Sequence, residues 1–309
     1  MHKGILDFDK RDYSKNMTVT DYTCFIMTRQ LFTNVALYKI RILRLFTIVI
    51  FIVLAVHFAF PFDYRTFKFV STVNELPIIY AITATYYRLT QRADVTRLAN
   101  TLRQVKSLYW IVVEDSDVIN PNIYDILSST GLSFTYIARK KLNTTKNYIR
   151  GSDQKNAALD WIMDHHNQNF RAVFYFVDDD NSYSLEIFEQ LRYTKKLSMW
   201  PVGLSGGRIY ETPNVFNGKV YNFSAWNANE RKFAIDMAGF ALNVDVLWIY
   251  HPMRFNTTDR PGMQETTFLE ICCDLSDIQP LADNCTKILV WHTQTQKPEA
   301  KTGDQKIVV

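Results

Sequence analysis

One stretch of the chain is apolar without a period, and most of the chain beyond it alternates. Leu45 to Phe62 reads LFTIVIFIVLAVHFAFPF, uncharged apart from the titratable His57. As a helix its 18 residues span roughly 27 Å, enough for a thin bilayer. Residues 63–75 make a short polar connection. From Leu76 onward the pattern predicts strands and helices in turn. PIIYAITATY (77–86) is a buried strand, and Val95, Leu98, Ala99, Leu102 and Val105 then recur at helical spacing. LYWIVVED (108–115) and SFTYIARK (133–140) are the next strands, succeeded by a helix with Ala158, Trp161 and Ile162 on one face. AVFYFVDDD (172–180) is an apolar strand that stops at three aspartates, and the helix after it carries Leu185, Phe188 and Leu191. Strands around 199–204 and 286–291 (TKILVW) close the series.

This order predicts an α/β fold, a mostly parallel sheet with helices on both faces, behind one N-terminal transmembrane helix. In such folds ligands lie outside the carboxyl ends of the strands. Three predicted strands end there in polar groups: Tyr86, the pair Glu114-Asp115, and Asp178-Asp179-Asp180.

Charge sets the orientation of the anchor. The net charge of +4 equals the excess of residues 1–44, where eight Lys or Arg face four acids, so the rest of the chain is near neutral. A nucleic-acid binder concentrates its basic residues on the folded domain instead, so that class is excluded. Arg41 and Arg44 flank the apolar run, which by the positive-inside rule places the N-terminus in the cytosol. A cleaved signal peptide fits poorly, because the run starts 44 residues in and lacks an A-x-A exit; a buried core helix is the other alternative. The expected organisation is a cytosolic tail (1–44), an anchor (45–62), a stem (63–75) and a lumenal catalytic domain (76–309). The sequons at Asn143, Asn222, Asn256 and Asn284 all fall on the lumenal side, whereas Asn16 falls on the cytosolic side. Cys24 is cytosolic, and Cys272, Cys273 and Cys285 are too few for a disulfide-built scaffold and lack zinc spacing. At 47% hydrophobic the chain can bury a sizeable core, so it needs no such staples.

The chemistry-bearing candidates each have a bland alternative. Three adjacent carboxylates repel one another at a strand end unless a cation compensates, and hard oxygen ligands suit Mg²⁺ or Mn²⁺. The alternative is a solvated acidic turn capping the helix near Ser182. Glu265, in GMQETTFLE, is a candidate general base or a helix-dipole partner. His292 either meets a phosphate or is a hydrogen-bonded strand-end histidine. Trp226, Tyr183 and Trp200 either stack on a sugar ring or belong to the core.

Several long stretches, in order from about residue 77 to 297, carry a resemblance: ATYYRLTQRADVTRLANTL, YWIVVEDSD, RGSDQKNAALDW, YFVDDDNSYS, WPVGLSGG, DMAGFALN, QETTFL and NCTKILVWHTQT. In these the chain resembles the β-1,3-glucuronosyltransferases of glycosyltransferase family 43. The resemblance implies a Golgi membrane protein, single-pass type II, with a GT-A type nucleotide-sugar-binding fold, a Mn²⁺ cofactor and a homodimeric assembly. It implies UDP-glucuronate as donor, inversion at the anomeric centre, and a terminal galactose as acceptor, on the proteoglycan linker or on N-acetyllactosamine ends. Position by position, Tyr86 and Asp115 would hold the uracil and Arg150 the nucleotide. Asp178 and Asp179 would face the ribose and its surroundings, Asp180 would ligate the metal, and His292 would meet the diphosphate. Glu265 would be the base, and Glu211, Trp226, Arg231 and Asp236 would line the acceptor site.

The chain also departs from the pattern. Lys155 and Gln294 stand where the family usually has arginine, Ala84-Thr85-Tyr86 lacks the proline of the usual strand end, and an arginine near the base motif is displaced to Arg260. Two missing guanidinium groups would weaken bidentate recognition of phosphate or carboxylate. An altered donor or acceptor, or a non-catalytic lumenal binding protein, are therefore the competing readings.

Overall fold

The computed structural model describes residues 76–142 and 149–296, with Thr47 and Glu299 as single positions. Apart from Thr47, the expected tail, anchor and stem lie outside the described residues, as do Asn143 and Cys24. Among the described residues no helix is long and apolar enough to cross a membrane. The chain divides into two compact units, Met1–Val73 and Asn74–Val309, and the second holds the sheets.

Alternate side chains of the central strands point to opposite faces, and each face is apolar, so each is covered. In β1 (Ile78–Thr85), Tyr80 and Ile82 enter one core while Ile79 and Ala81 enter the other. The same split recurs in β2 (Leu108–Glu114) and β4 (Ala172–Phe176), where Phe174 and Phe176 oppose Val173 and Tyr175. Helices α1 (Gln91–Leu102), α2 (Pro121–Ser129) and α4 (Leu185–Leu191) supply Leu98, Leu127 and Phe188 to one core. On the other side are α3 (Ser152–His165), the short α5 (Val246–Ile249) and α6 (Gln264–Glu270), with Ile162, Leu247 and Phe268. Asn120 caps α2 by accepting the Asn122 N–H at 3.1 Å, with Pro121 as its first residue.

The main sheet has seven strands, completed by β3 (Ser133–Ala138), β6 (Leu197–Met199), β10 (Phe240–Asn243) and β11 (Ile278–Pro280), in the order β11-β6-β10-β4-β1-β2-β3. It is mixed: β10 runs antiparallel to both β4 and β6, while the other pairings are parallel. A second sheet, which the hydrophobic pattern does not predict, joins β5 (Ser182–Tyr183), β12 (Val290–Trp291), β7 (Val202–Gly203), β8 (Tyr210–Phe216) and β9 (Lys219–Ser224).

Two strand expectations need correction. The segment 199–204 is not one strand: Met199 ends β6 in the first sheet and Val202 begins β7 in the second, with the buried Trp200 between. The segment 286–291 pairs only at Val290–Trp291. Upstream the chain coils through a left-handed turn, Ala282 to Cys285, whose carbonyl at Ala282 accepts the N–H groups of Thr286 and Lys287. On α4, Leu185 faces solvent, and Ile187 takes its place in the core.

Far from the strand ends with the acids, a fully buried guanidinium ties three segments together. Arg192 donates to the carbonyls of Pro77 at 2.8 Å, Lys106 at 2.7 Å and Ser107 at 3.4 Å. Replacing it takes a donor from the Pro77 and Lys106 carbonyls, while Ser107 keeps the Ile79 N–H at 2.9 Å. Arg192→Met is expected to lower unfolding free energy by roughly 2–4 kcal/mol, read as a lower urea midpoint at unchanged slope.

Candidate active site

A cavity of about 460 Å³ opens at the carboxyl ends of β1, β2 and β4. It gathers every expected donor-side residue: Tyr86, Asp115, Arg150, Asp178, Asp179 and His292, together with Asp180. Lys155 and Gln294 line it as well. The Tyr86 ring lies 4.6 Å from the Arg150 guanidinium carbon and 5.1 Å from that of Arg88, so its face is held by cations. Asp115 comes directly after β2, and its Oδ1 accepts the Lys141 N–H at 2.9 Å. Gly151, with φ +85°, turns the chain into α3, whose first turn presents Lys155 to the cavity.

The three aspartates have three different environments. Asp179 is buried, accepting Thr85 Oγ1 at 2.6 Å and pairing with Arg88 at 2.8 Å. Burial pushes the Asp178 carboxyl up to about 6 despite the nearby Lys155. Burial and the neighbouring Asp179 also raise Asp180, although its side chain remains partly open to the cavity. The Asp180 carbonyl is itself fixed, accepting Thr293 Oγ1 at 2.5 Å and Arg97 at 3.3 Å.

Behind them sits a residue that is not among the candidates drawn from the sequence. Asp94 is fully buried on the apolar stripe of α1, four residues before Leu98. It binds Arg88 at 2.8 Å, Arg97 at 3.1 Å and Thr295 Oγ1 at 2.6 Å. It thereby clips the segment after β12, which carries His292 and Gln294, onto α1. A carboxylate on a core-facing helical position was the available signal, because such a group persists only with partners.

The expected acceptor-side residues converge beside this cavity. Glu265, in the first turn of α6, pairs with Arg231 at 3.2 Å. Burial pushes its carboxyl up to about 7, with Arg231 and Lys155 opposing and Asp236 adding to the rise. Asp236 accepts Ala238 N–H at 2.9 Å and lies 2.9 Å from His292 Nδ1. Burial works against its ionisation, yet His292 holds it below the usual carboxylate range. The same contact pushes His292 up to about 9 against its own burial. Glu211 is buried rather than exposed in the cleft. Its Oε1 accepts the Trp226 N–H at 2.9 Å, so it supports Trp226 from beneath.

Trp226 is 47% exposed and rests on two glycines. A Cβ at Gly262 would come within 2.5 Å of the indole, and one at Gly206 would overlap Glu211 Oε1; both have positive φ. By contrast Trp200 is fully buried with its Nε1 on Ala238 O at 2.9 Å, and Tyr183 packs on Tyr175 and Phe188, so both are core residues. Asn222, Asn256 and Asn284 are exposed. Cys272, Cys273 and Cys285 are free thiols.

Among the described residues no three His, Cys, Asp or Glu side chains converge as a metal cage. The donor chemistry still fits a hard cation that keeps most of its shell from elsewhere. Asp180 offers one carboxylate, and Mg²⁺ or Mn²⁺ typically takes one or two, with water and phosphate oxygens completing the set.

The His292–Asp236 contact predicts a displaced titration. By NMR the His292 imidazole is expected to stay protonated up to about pH 9, and Asp236→Asn to bring its midpoint down toward the ordinary 6.5. An unchanged midpoint in that variant would remove Asp236 as the cause.

The family model for glycosyltransferase family 43 matches residues 98–296. Human galactosylgalactosylxylosylprotein 3-beta-glucuronosyltransferase 2 is 46% identical over 233 residues, covering 72% of this chain and 71% of that protein. The human enzymes numbered 1 and 3 are 42% and 39% identical over 249 residues, each covering 74% of both chains. With a family match over residues 98–296 and relatives of this identity and coverage, the chain belongs to glycosyltransferase family 43.

Proposed function

We propose that this protein transfers glucuronic acid from UDP-glucuronate to the terminal galactose of a glycan, the proteoglycan linker, in one inverting displacement. The observation that carries this reading is electrostatic. A carboxyl poised near neutrality, Glu265, feels Lys155 of the cavity wall and Asp236, the partner of His292, so base and anion site adjoin. The names of the relatives supply the sugar and the acceptor. The strand-end cavity in a nucleotide-sugar family supports a GT-A type fold, and the apolar run at 45–62 supports a single-pass type II Golgi anchor with a lumenal site. The homodimer remains part of this reading through the family resemblance alone.

Each residue then has a defined task. Tyr86, flanked by Arg150 and Arg88, offers an aromatic face to the uracil, and Asp115 offers an acceptor to its N–H. His292, protonated below about 9, donates toward the diphosphate while Asp236 orients its ring. Lys155 brings a positive charge to the sugar end, where it can meet a carboxylate. Asp180 would hold Mn²⁺, which when bound offsets charge on the departing nucleotide diphosphate. Trp226 gives the acceptor galactose an apolar platform. Glu265, ionised above about 7, takes the proton of the galactose hydroxyl as that oxygen attacks the anomeric carbon and the UDP–sugar bond breaks.

Glu265→Gln keeps the shape and cannot accept a proton. Its kcat is expected to fall by two or more orders of magnitude, roughly the worth of a general base, and to lose the rise through pH 7, while UDP affinity stays constant. Loss of UDP binding with turnover intact would make Glu265 structural.

The donor assignment is tested by transfer from UDP-glucuronate and UDP-glucose with Mn²⁺. Gln294 lines the cavity and lies only 3.5 Å from His292 Nε2, a marginal contact for a neutral amide. Gln294→Arg is expected to tighten UDP-glucuronate about tenfold, the worth of one charge-assisted contact. A wild-type preference for UDP-glucose would overturn the glucuronate assignment.

A further inference from the structure

The loop between β7 and β8 carries a hydroxyl placed between two acceptor-side carboxylates, one of which also lies against the donor-side His292. Ser205 Oγ lies 2.9 Å from Asp236 Oδ2 and 3.2 Å from Glu211 Oε2, and the residue is 3% exposed. A hydroxyl has one proton, so it donates to one carboxylate and turns lone pairs to the other. The two are not equally provided for. Asp236 has the Ala238 N–H on Oδ1 and the His292 ring 2.9 Å from that same Oδ2, although Nδ1 is not aligned to donate there. Glu211 has the Trp226 N–H on Oε1 and, among the described residues, no cation within ion-pair distance. A buried carboxylate with so few donors is costly, so the destination of this one proton matters.

We propose that Ser205 is a positioning residue that couples the donor half of the cleft to the acceptor half. The inference rests on the proposed function, with the diphosphate on the His292 side and the acceptor sugar on Trp226. A diphosphate that turns the His292 ring until its Nδ1–H, which makes no aligned hydrogen bond in this structure, donates to Asp236 satisfies Asp236 from that side. The Ser205 proton then turns to Glu211 Oε2, and Glu211 holds the Trp226 backbone in its acceptor-binding position. The path is contiguous: His292, Asp236, Ser205, Glu211, Trp226. It is also stiff, because Gly206 has φ +59° and a Cβ there would clash with both Glu211 and Trp226. The consequence is ordered recognition, in which bound donor tightens the acceptor site, and by linkage the acceptor tightens the donor to the same degree.

The test measures the affinity of the full chain in detergent for a galactose-terminated disaccharide, with and without saturating UDP and Mn²⁺. In the wild type UDP is expected to tighten the disaccharide by roughly fivefold or more, within the usual range of site–site coupling. Ser205→Ala removes the proton, and Ser205→Cys fills the space with a weak donor. Both are expected to bring the coupling factor close to one and to raise acceptor KM about tenfold, with UDP affinity alone within about twofold of wild type. Coupling that survives in Ser205→Ala overturns the proposal. So does a Cys variant that behaves as wild type, since volume would then be what matters. If the wild type transfers glucuronic acid yet shows no coupling, this inference fails and the functional reading stands. If it transfers none, the functional reading fails and takes this one with it.

Discussion

Acids crowded at the carboxyl ends of parallel strands must be balanced by cations or protons, and the cleft is organised around that balance. Asp94 and Asp179 are buried and share Arg88, which stands 2.8 Å from each, and Arg97 adds a second cation to Asp94 at 3.1 Å. Neither could remain ionised there alone, since desolvation of an unpaired carboxylate exceeds what the fold can absorb. With that pair neutralised, Asp178 and Asp180 are left with fewer compensating partners, and both are raised. A site that already holds its own cations for two acids and leaves two more under-compensated is suited to an incoming cation with its anionic ligand.

The same balance grades two groups that share Asp236 as a neighbour. Glu265 and His292 are both raised, for opposite reasons: burial lifts the carboxyl, and a carboxylate partner lifts the imidazole. The result is a base that loses its proton near neutrality and a cation that keeps its own. Arg231 limits the first effect, being paired with Glu265 while also donating to Ile235 O at 2.8 Å. Asp236 produces the second and is stabilised in turn by the Ala238 N–H.

Legibility tracked the range of the interactions. Strands β1 to β4, helices α1, α3 and α4 and the acids at strand ends were readable because period-2 and period-3.6 patterns are local, and a polar stop after an apolar run marks a strand terminus. The second sheet was not, because β5, β7 and β12 are two residues each and carry no period at all. Its hairpin had a usable mark, Asn217-Gly218, where both residues adopt positive φ between β8 and β9. Burial separated like residues: Trp200 and Trp226 are chemically equal in sequence, and only packing makes one core and the other a platform.

The sequence by itself determined the α/β alternation, the carboxylates and histidine available for chemistry, and membership of a family through long ordered matches. Tertiary structure decided how those groups are paired. Thr295 meets Asp94 across 201 positions, Arg88 meets Asp179 across 91, and Glu211 turns inward beneath Trp226 instead of facing the cleft. Ionisation, orientation and burial at such sites depend on which atoms lie within a few ångströms, and proximity of that kind is created by the chain's return path through the sheet.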